Sequence, residues 1–274
     1  MAELYGKGTG IVKGKGGSMH LFDADKHFLG GHGIVGGQIP LATGVAFATK
    51  YRGTDQATLV FFGEAAVNQG AFHESLNMAA LWKLPCVFII ENNRYGMGTA
   101  LERASSIHDI YERASSYNMA RAMADGQDVF AVRAAVQEAI QRARTEQLPT
   151  LLEMRTYRFM GHSMSDPGHY RTRAEIEKYQ ERDPIKVFGQ NLREKGVLDD
   201  AGTLVRSGLA IEQRAGFIES METLREPRTD IESARGIEQR LRSLGGNALG
   251  PVVVRVGVTS MPRRCAGCSR WCGA

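Results

Sequence analysis

The amino-acid sequence predicts an α/β fold, a mostly parallel sheet flanked by helices and followed by a helical C-terminal extension. Three neighbouring segments carry that expectation. Thr58-Leu59-Val60-Phe61-Phe62 is a short β-branched and aromatic run, the pattern of a strand buried on both faces. From Asn68 to Leu84 the apolar residues Phe72, Leu76, Ala79, Ala80 and Leu84 recur at helical spacing, and Pro85 ends the segment. Cys86 to Ile90 is a second buried strand. A strand-helix-strand crossover of this kind leaves both strand C-terminal ends at one edge of the sheet.

The remaining elements follow in order. Ile39 to Tyr51 reads as a helix behind the glycine-rich turn around Gly33. Asp125-Gly-Gln-Asp-Val-Phe130 is a turn and helix start, and Val132, Val136 and Ile140 give that helix one apolar face. Thr150 to Arg158 is β-rich and runs into a loop punctuated by Gly161, Pro167 and Gly168, with basic residues Arg171 and Arg173 beyond. Asp183-Pro184 sets a cap and a proline at the first helical position, with Ile185, Val187, Phe188 and Leu192 on one face. Helices continue to about Leu244. The organisation expected is an α/β domain over 1–175, a helical extension of it over 176–246, and a disordered tail over 247–274.

Composition narrows the function classes. With 274 residues, 43% of them hydrophobic, the chain can bury one large core. The formal charge of +4 is modest and the basic residues alternate with acids, as along Arg173 to Glu194, so no nucleic-acid partner is expected. No run reaches the roughly 18 apolar residues of a membrane span, and Met1 to Gly10 lacks the apolar centre of a signal peptide. A soluble protein in a reducing compartment, with no disulfide, is the expectation. Gly6 to Gly17 fails the nucleotide P-loop because Gly16 follows Lys15, and it reads as a flexible basic loop. His73 and Glu74 are adjacent, so they point to different helix faces and do not make a zinc helix. Cys265, Cys268 and Cys272 offer three thiolates, whereas a structural zinc site wants four ligands; a reduced, disordered tail is the alternative.

The chemistry concentrates at the two polar ends of the first crossover. Glu64 follows the first strand, and the Asn92-Asn93 pair follows the second. Both belong at the C-terminal edge of the sheet, where open α/β sheets hold ligands and where a helix start offers free N–H groups to an anion. A carboxylate, an amide oxygen and a phosphate suit a hard divalent cation such as magnesium. A helix-start charge and an Asn turn are the simpler alternatives for the same residues.

Gly63-Glu64-Ala65 through Asn92-Asn93 resembles the thiamine diphosphate motif. More specifically, Asn77-Met-Ala-Ala-Leu-Trp-Lys-Leu-Pro-Cys86 and Glu91-Asn-Asn-Arg-Tyr-Gly-Met-Gly-Thr99 resemble the alpha subunit of the pyruvate dehydrogenase decarboxylating component. Lys13-Gly-Lys-Gly-Gly-Ser-Met-His20, Gly30-Gly-His-Gly-Ile-Val-Gly-Gly-Gln38 and Arg155-Thr-Tyr-Arg-Phe-Met-Gly-His-Ser-Met-Ser-Asp-Pro-Gly168 agree. The likeness is nearly continuous from Leu4 to Asp199.

The resemblance implies a thiamine diphosphate-binding fold and a set of roles. Glu64, the Asn93 side chain and the Tyr95 carbonyl would hold Mg2+; Ala65 and Ala66 would line the diphosphate through their backbones. Gly33 and Val35 would meet the aminopyrimidine ring through main-chain groups, and His162 would reach the phosphate side near the substrate channel as the catalytic residue. The reaction implied is oxidative decarboxylation of pyruvate with acetyl transfer to lipoamide. Its implied partners are a beta subunit in an α2β2 assembly, which supplies the glutamate that activates the pyrimidine, and the lipoyl acyltransferase of the complex. The compartment implied is the cytoplasm, or the mitochondrial matrix in a eukaryote. Acetoin and branched-chain 2-oxo acid dehydrogenase alpha subunits are the neighbouring alternatives, and a noncatalytic remnant that binds a beta subunit is one of another class.

Departures from the family pattern bear on affinity. Glu stands at 64 where Asp is common, and Ala at 65 where Gly is usual. Relatives carry a helical segment ahead of the Lys13 block, with a Tyr and an Arg on the diphosphate; the sequence opens at Met1 without it, so a weaker hold on the cofactor is expected. The serine matching Ser163 is phosphorylated in eukaryotic relatives, and a phosphate there would repel a diphosphate.

Overall fold

A computed structural model describes residues 1–198 except Met164. The expected extension beyond residue 198, the 247–274 tail and the Cys265, Cys268 and Cys272 group lie outside the described residues.

Helix α1 (Gln38–Tyr51) precedes strand β1 (Thr58–Gly63), a 3-10 turn over Glu64–Asn68, helix α2 (Gly70–Leu81) and strand β2 (Cys86–Asn92). A two-stranded hairpin, β3 (Tyr95–Gly96) and β4 (Thr99–Ala100), leads into the short helix α3 (Leu101–Ala104) and a second 3-10 stretch over Ile110–Tyr117. Strand β5 (Ala120–Asp125), helix α4 (Val129–Thr145), strand β6 (Thr150–Arg155) and helices α5 (Arg173–Gln180) and α6 (Pro184–Glu194) complete the order. The four long strands form one parallel sheet in the order β1-β2-β6-β5. The sheet flanked by helices is the fold class the sequence predicts.

Alternation along the strands sorts the core into two layers. Val60, Phe62, Phe88, Ile90 and Leu151 face Ile39, Ala42 and Ala46 of α1 and Phe72, Leu76 and Ala79 of α2. Leu59, Val87, Ile89, Leu152 and Met154 face the other way, onto Ala139 and Ala143 of α4. The inner strands β2 and β6 are therefore buried on both sides, which explains why Cys86 to Ile90 reads as an unbroken apolar run. Complete burial in apolar surroundings also pushes the Cys86 thiol far above the usual range.

Caps follow the predicted chemistry. The Asp128 side chain accepts from the N–H groups of Phe130 and Ala131 at the start of α4, and Asp183 accepts from Ile185 N–H ahead of Pro184. The Arg173 to Glu194 stretch is broken by that cap into α5 and α6. At the other end of α2, Lys50 Nζ donates to the carbonyls of Trp82 (2.7 Å) and Lys83 (3.1 Å), a cation on helix-terminal carbonyls.

The Gly6 to Gly17 segment corrects an expectation. It is wound into turns around one carboxylate, not left as a flexible loop. Glu3, 5% exposed, accepts from the N–H groups of Val12 (2.8 Å), Gly14 (2.9 Å) and Gly16 (2.5 Å). Desolvation raises its pKa, but the hydrogen bonds from Gly16, Gly14, Val12 and Lys15 together outweigh it and hold the carboxyl below its ordinary value. Gly14 has φ +76, and a side chain there would meet the backbone of Gly6 at 2.4 Å. No helix among the described residues is long and apolar enough to cross a membrane.

Candidate functional site

The ends of β1 and β2 lie side by side, with Gly63 in register with Glu91. Glu64 enters the 3-10 turn directly after β1 and is 3% exposed. Its Oε2 accepts from the backbone N–H of Asn93 at 3.2 Å, so the predicted meeting of residues 29 positions apart is present. Its Oε1 is buried and has no hydrogen-bond partner. A buried carboxylate oxygen without a donor is costly and asks for a cation or other donor.

Asn93 supports that reading from the other side. Its Nδ2 donates to the carbonyl of Glu91 (3.1 Å), which turns Oδ1 toward the Thr156 hydroxyl at 3.1 Å. The Thr156 proton is shared with the Asn92 carbonyl, 3.2 Å away, and Asn93 Oδ1 keeps lone-pair capacity for a ligand. Among the described residues no three His, Cys, Asp or Glu side chains converge as a metal cluster. A site here would be of mixed type, with carboxylate, amide and carbonyl oxygens, the donor set of a hard divalent cation. Glu91, exposed as a residue, has a carboxyl raised by desolvation and then by the Glu64 carboxylate.

The β3-β4 hairpin closes over the 3-10 turn. A Cβ on Gly96 would stand 2.6 Å from the Ala65 side chain, so Tyr95-Gly96 lies directly against Ala65. The Tyr95 main chain is thereby brought beside the Glu64 segment, while its side chain points elsewhere and its hydroxyl donates to Glu175 Oε1 at 2.9 Å. Burial first, and then the Glu175 carboxylate, push the Tyr95 hydroxyl up to about 12. Ala65 is exposed and Ala66 buried. The first N–H groups of such a helical turn have no partner within it, which suits an anion.

The glycine-rich turn reaches the same place. Gly36, at φ +79, packs against Gln69 and the Ala66 carbonyl; an added Cβ would stand 3.3 Å from Gln69 Cγ. Gly33 lies against the His20 ring, whose Nδ1 is 3.3 Å from the Gly31 carbonyl. Val35 is 61% exposed and Ile34 78% exposed, apolar side chains presented beside this turn.

His162 is exposed, and no hydrogen bond joins its ring to Glu64 or Asn93. Its backbone N–H donates to Asp166 Oδ2 at 2.7 Å. Asp166 gathers this loop: Oδ1 accepts from Gly168 N–H (2.9 Å) and Oδ2 also accepts from the Tyr170 hydroxyl (2.8 Å). The hydrogen bonds from His162, Gly168 and Tyr170, in that order, hold the Asp166 carboxyl down to about 2. The loop leans on the hairpin, since Arg158 donates to the Met97 carbonyl at 2.9 Å and the Tyr170 ring lies over Gly98.

Two anchors escape a reading of local pattern. Arg171, which reads in the sequence only as part of a basic cluster, is 8% exposed; it donates to the carbonyls of Arg158 and Met160 and sits among the rings of Tyr95, Tyr157 and Tyr170. Glu153, at 0% exposure, bonds to Asn92. The only local signal for Glu153 is an acid inside the apolar run Thr150 to Met154.

A sequence profile described as "Dehydrogenase E1 component" matches residues 1–203. The "Pyruvate dehydrogenase E1 component subunit alpha" of Rhizobium meliloti (strain 1021) is 53% identical over 197 residues, covering 72% of this chain and 57% of the relative. The protein of the same name in Rickettsia bellii (strain RML369-C) is 48% identical over 201 residues, 73% of this chain and 62% of the relative. The somatic, mitochondrial form of Bos taurus is 52% identical over 190 residues, 69% of this chain and 48% of the relative. The chain thus spans about half to three-fifths of the length of these curated relatives. Its match to the family profile runs over well more than half of its residues, and the chain belongs to the dehydrogenase E1 component family.

Proposed function

We propose that this chain is the alpha subunit of a 2-oxo acid dehydrogenase and holds the Mg2+-diphosphate half of thiamine diphosphate for the oxidative decarboxylation of pyruvate. The observation that carries the reading is Glu64 Oε1, buried at the end of β1, unpaired, and next to Asn93. When bound, thiamine diphosphate supplies the carbon nucleophile and electron sink that decarboxylation of a 2-oxo acid requires. In this assignment Glu64, Asn93 Oδ1 and the Tyr95 carbonyl hold the cation. The main-chain groups of Ala65 and Ala66 meet the diphosphate, and those of Gly33 and Val35 meet the aminopyrimidine. His162, on a loop tied to the hairpin, orients the substrate and moves a proton near it.

A beta subunit completes the site by supplying the glutamate that activates the pyrimidine, and a lipoyl acyltransferase accepts the acetyl group. Curated relatives that carry the name pyruvate dehydrogenase favour pyruvate over acetoin or branched-chain acids. The compartment is the cytoplasm of a bacterium or the mitochondrial matrix.

The test is calorimetric titration of thiamine diphosphate with Mg2+ into the chain co-expressed with a beta subunit. Saturable, magnesium-dependent binding is expected, weakened by at least ~10-fold in Glu64→Gln, which keeps the side-chain size and removes the charge. No heat at millimolar cofactor, or equal affinity in the variant, sinks the reading.

A further inference from the structure

Glu153 lies in register with Ile90 of β2, on the core face shared with Leu151, and is fully enclosed. Each of its oxygens is committed. Oε1 accepts from Asn92 Nδ2 at 2.8 Å and from Arg155 Nε at 3.1 Å, and Oε2 accepts from the Tyr111 backbone N–H at 3.0 Å. Fixing the Asn92 amide this way turns its Oδ1 toward the chain ahead, where it accepts from the Arg94 backbone N–H at 3.0 Å. Arg94 is a non-glycine residue at φ +69, in the left-handed region that disfavours its side chain. The next residue back, Asn93, presents its N–H to Glu64, and the next one on, Tyr95, opens the hairpin beside Ala65.

We infer that Glu153 is the positioning residue of the 92–95 turn: through Asn92 it pins Arg94 in its left-handed conformation and so aims Asn93 and the Tyr95 main chain at Glu64. A purely stabilising role explains this arrangement poorly. An ion pair such as Arg155–Glu153, with the carboxylate buried and the arginine one-third exposed, often contributes little net stability compared with apolar side chains of the same volume. What an apolar residue could not do at 153 is dictate which way the Asn92 amide faces. The inference rests on the reading of Glu64 and Asn93 as cation ligands, but the turn can be measured without any cofactor.

Glu153→Gln is the discriminating change. All three partners of the carboxylate are donors, so either orientation of a glutamine amide sets its NH2 against another N–H. If the Asn92 amide rotates to accommodate it, the conflict passes to Arg94 N–H. Asn92→Asp added to Glu153→Gln removes the conflict along the Asn92–Arg94 link, because a carboxylate at 92 accepts from both the glutamine and Arg94; Arg155 Nε, on a partly exposed side chain that Asp109 also holds, is left to turn aside. In the chain co-expressed with a beta subunit, Glu153→Gln is expected to speed amide hydrogen exchange across residues 92–95 by tenfold or more. Magnesium-dependent thiamine diphosphate affinity should fall by about 10-fold, the scale of losses behind a metal ligand, while maximal turnover at saturating cofactor changes little. Asn92→Asp should restore both. Unchanged exchange in Glu153→Gln overturns the inference. So does a loss that the Asn92→Asp partner does not reverse. Should Glu153→Gln fail to fold, Asn92→Ala breaks the same link without burying an opposed amide, and unchanged exchange at 92–95 in that variant overturns it equally. A parent complex that binds no cofactor but shows the exchange effect defeats the cofactor reading and leaves the positioning role supported.

Discussion

Glu64 and Asn93 were legible because their chemistry depends on where strands end, and strand ends follow from apolar runs and a proline. Gly96 was not legible as a contact, because what makes it necessary is a neighbour 31 positions away. Carbon atoms in contact sit about 3.5–4.0 Å apart, whereas a Cβ at 96 would be 2.6 Å from the Ala65 Cβ. Gly96→Ala should therefore lower stability by roughly 1–3 kcal/mol through overpacking, and it should push the Tyr95 main chain away from Glu64. Ala65→Gly in the same chain removes the colliding methyl and should recover most of that loss, less the ~0.5–1 kcal/mol that a glycine costs in a helical turn. Denaturant unfolding of the two single variants and the double variant gives the coupling directly. A double variant no more stable than Gly96→Ala would show that the close approach is not what fixes the hairpin. Arg171 and Glu3 were hidden for the same reason: a buried charge is recognised by its partners, and theirs come from several segments.

At the scale of elements, the inner strands and the amphipathic helices announce themselves and the edges do not. Strand β5 is Ala-Arg-Ala-Met-Ala-Asp, with no β-branched or aromatic residue; it pairs because β6 offers it an open parallel edge, a tertiary cause that local propensity does not contain. The β3-β4 hairpin has only two residues per strand, too short for any period. The glycine and proline of the loop after β6 mark it only as a loop, and its order comes from one carboxylate. Asp166 holds the N–H groups of His162 and Gly168 and the Tyr170 hydroxyl, and its pKa is depressed from 3.8 to about 2. A depressed carboxyl contributes its ordering fully above its unfolded value and loses it as pH falls through the folded one. The loop should thus stay ordered above about pH 4 and loosen between about 4 and 2. Asp166→Asn should reproduce the loosening at neutral pH, seen as faster amide exchange at His162 and Gly168 with the sheet unaffected. Equal protection of those two amides in both proteins would leave the loop's order unexplained by this carboxylate.

Across the described residues, the core layer under α4 holds the fold without reaching the candidate site, whose residues stand at the strand ends. Leu152 points away from α1 and α2 into the layer with Val87, Ile89, Met154 and α4, 2% exposed and contributing no polar group to the Glu64–Asn93 region. Leu152→Ala should cost about 2–5 kcal/mol, as buried leucine truncations do. In a folded body of this size each kcal/mol lowers the melting temperature by about 2–4 °C. A ligand that binds only the folded state adds stability set by its concentration relative to Kd, about 2.7 kcal/mol at 100 times Kd. With each chain co-expressed with a beta subunit, saturating magnesium and thiamine diphosphate should accordingly raise the melting temperature of Leu152→Ala by nearly as much as that of the parent, starting from a lower base. Glu64→Gln should show the opposite pattern, a base close to the parent and little or no rise. Thermal melts of the three proteins, with and without cofactor, decide it. If Leu152→Ala lost its cofactor response while Glu64→Gln kept it, the division of labour between the α4 layer and the strand ends would be wrong, and the site would depend on that layer through another path.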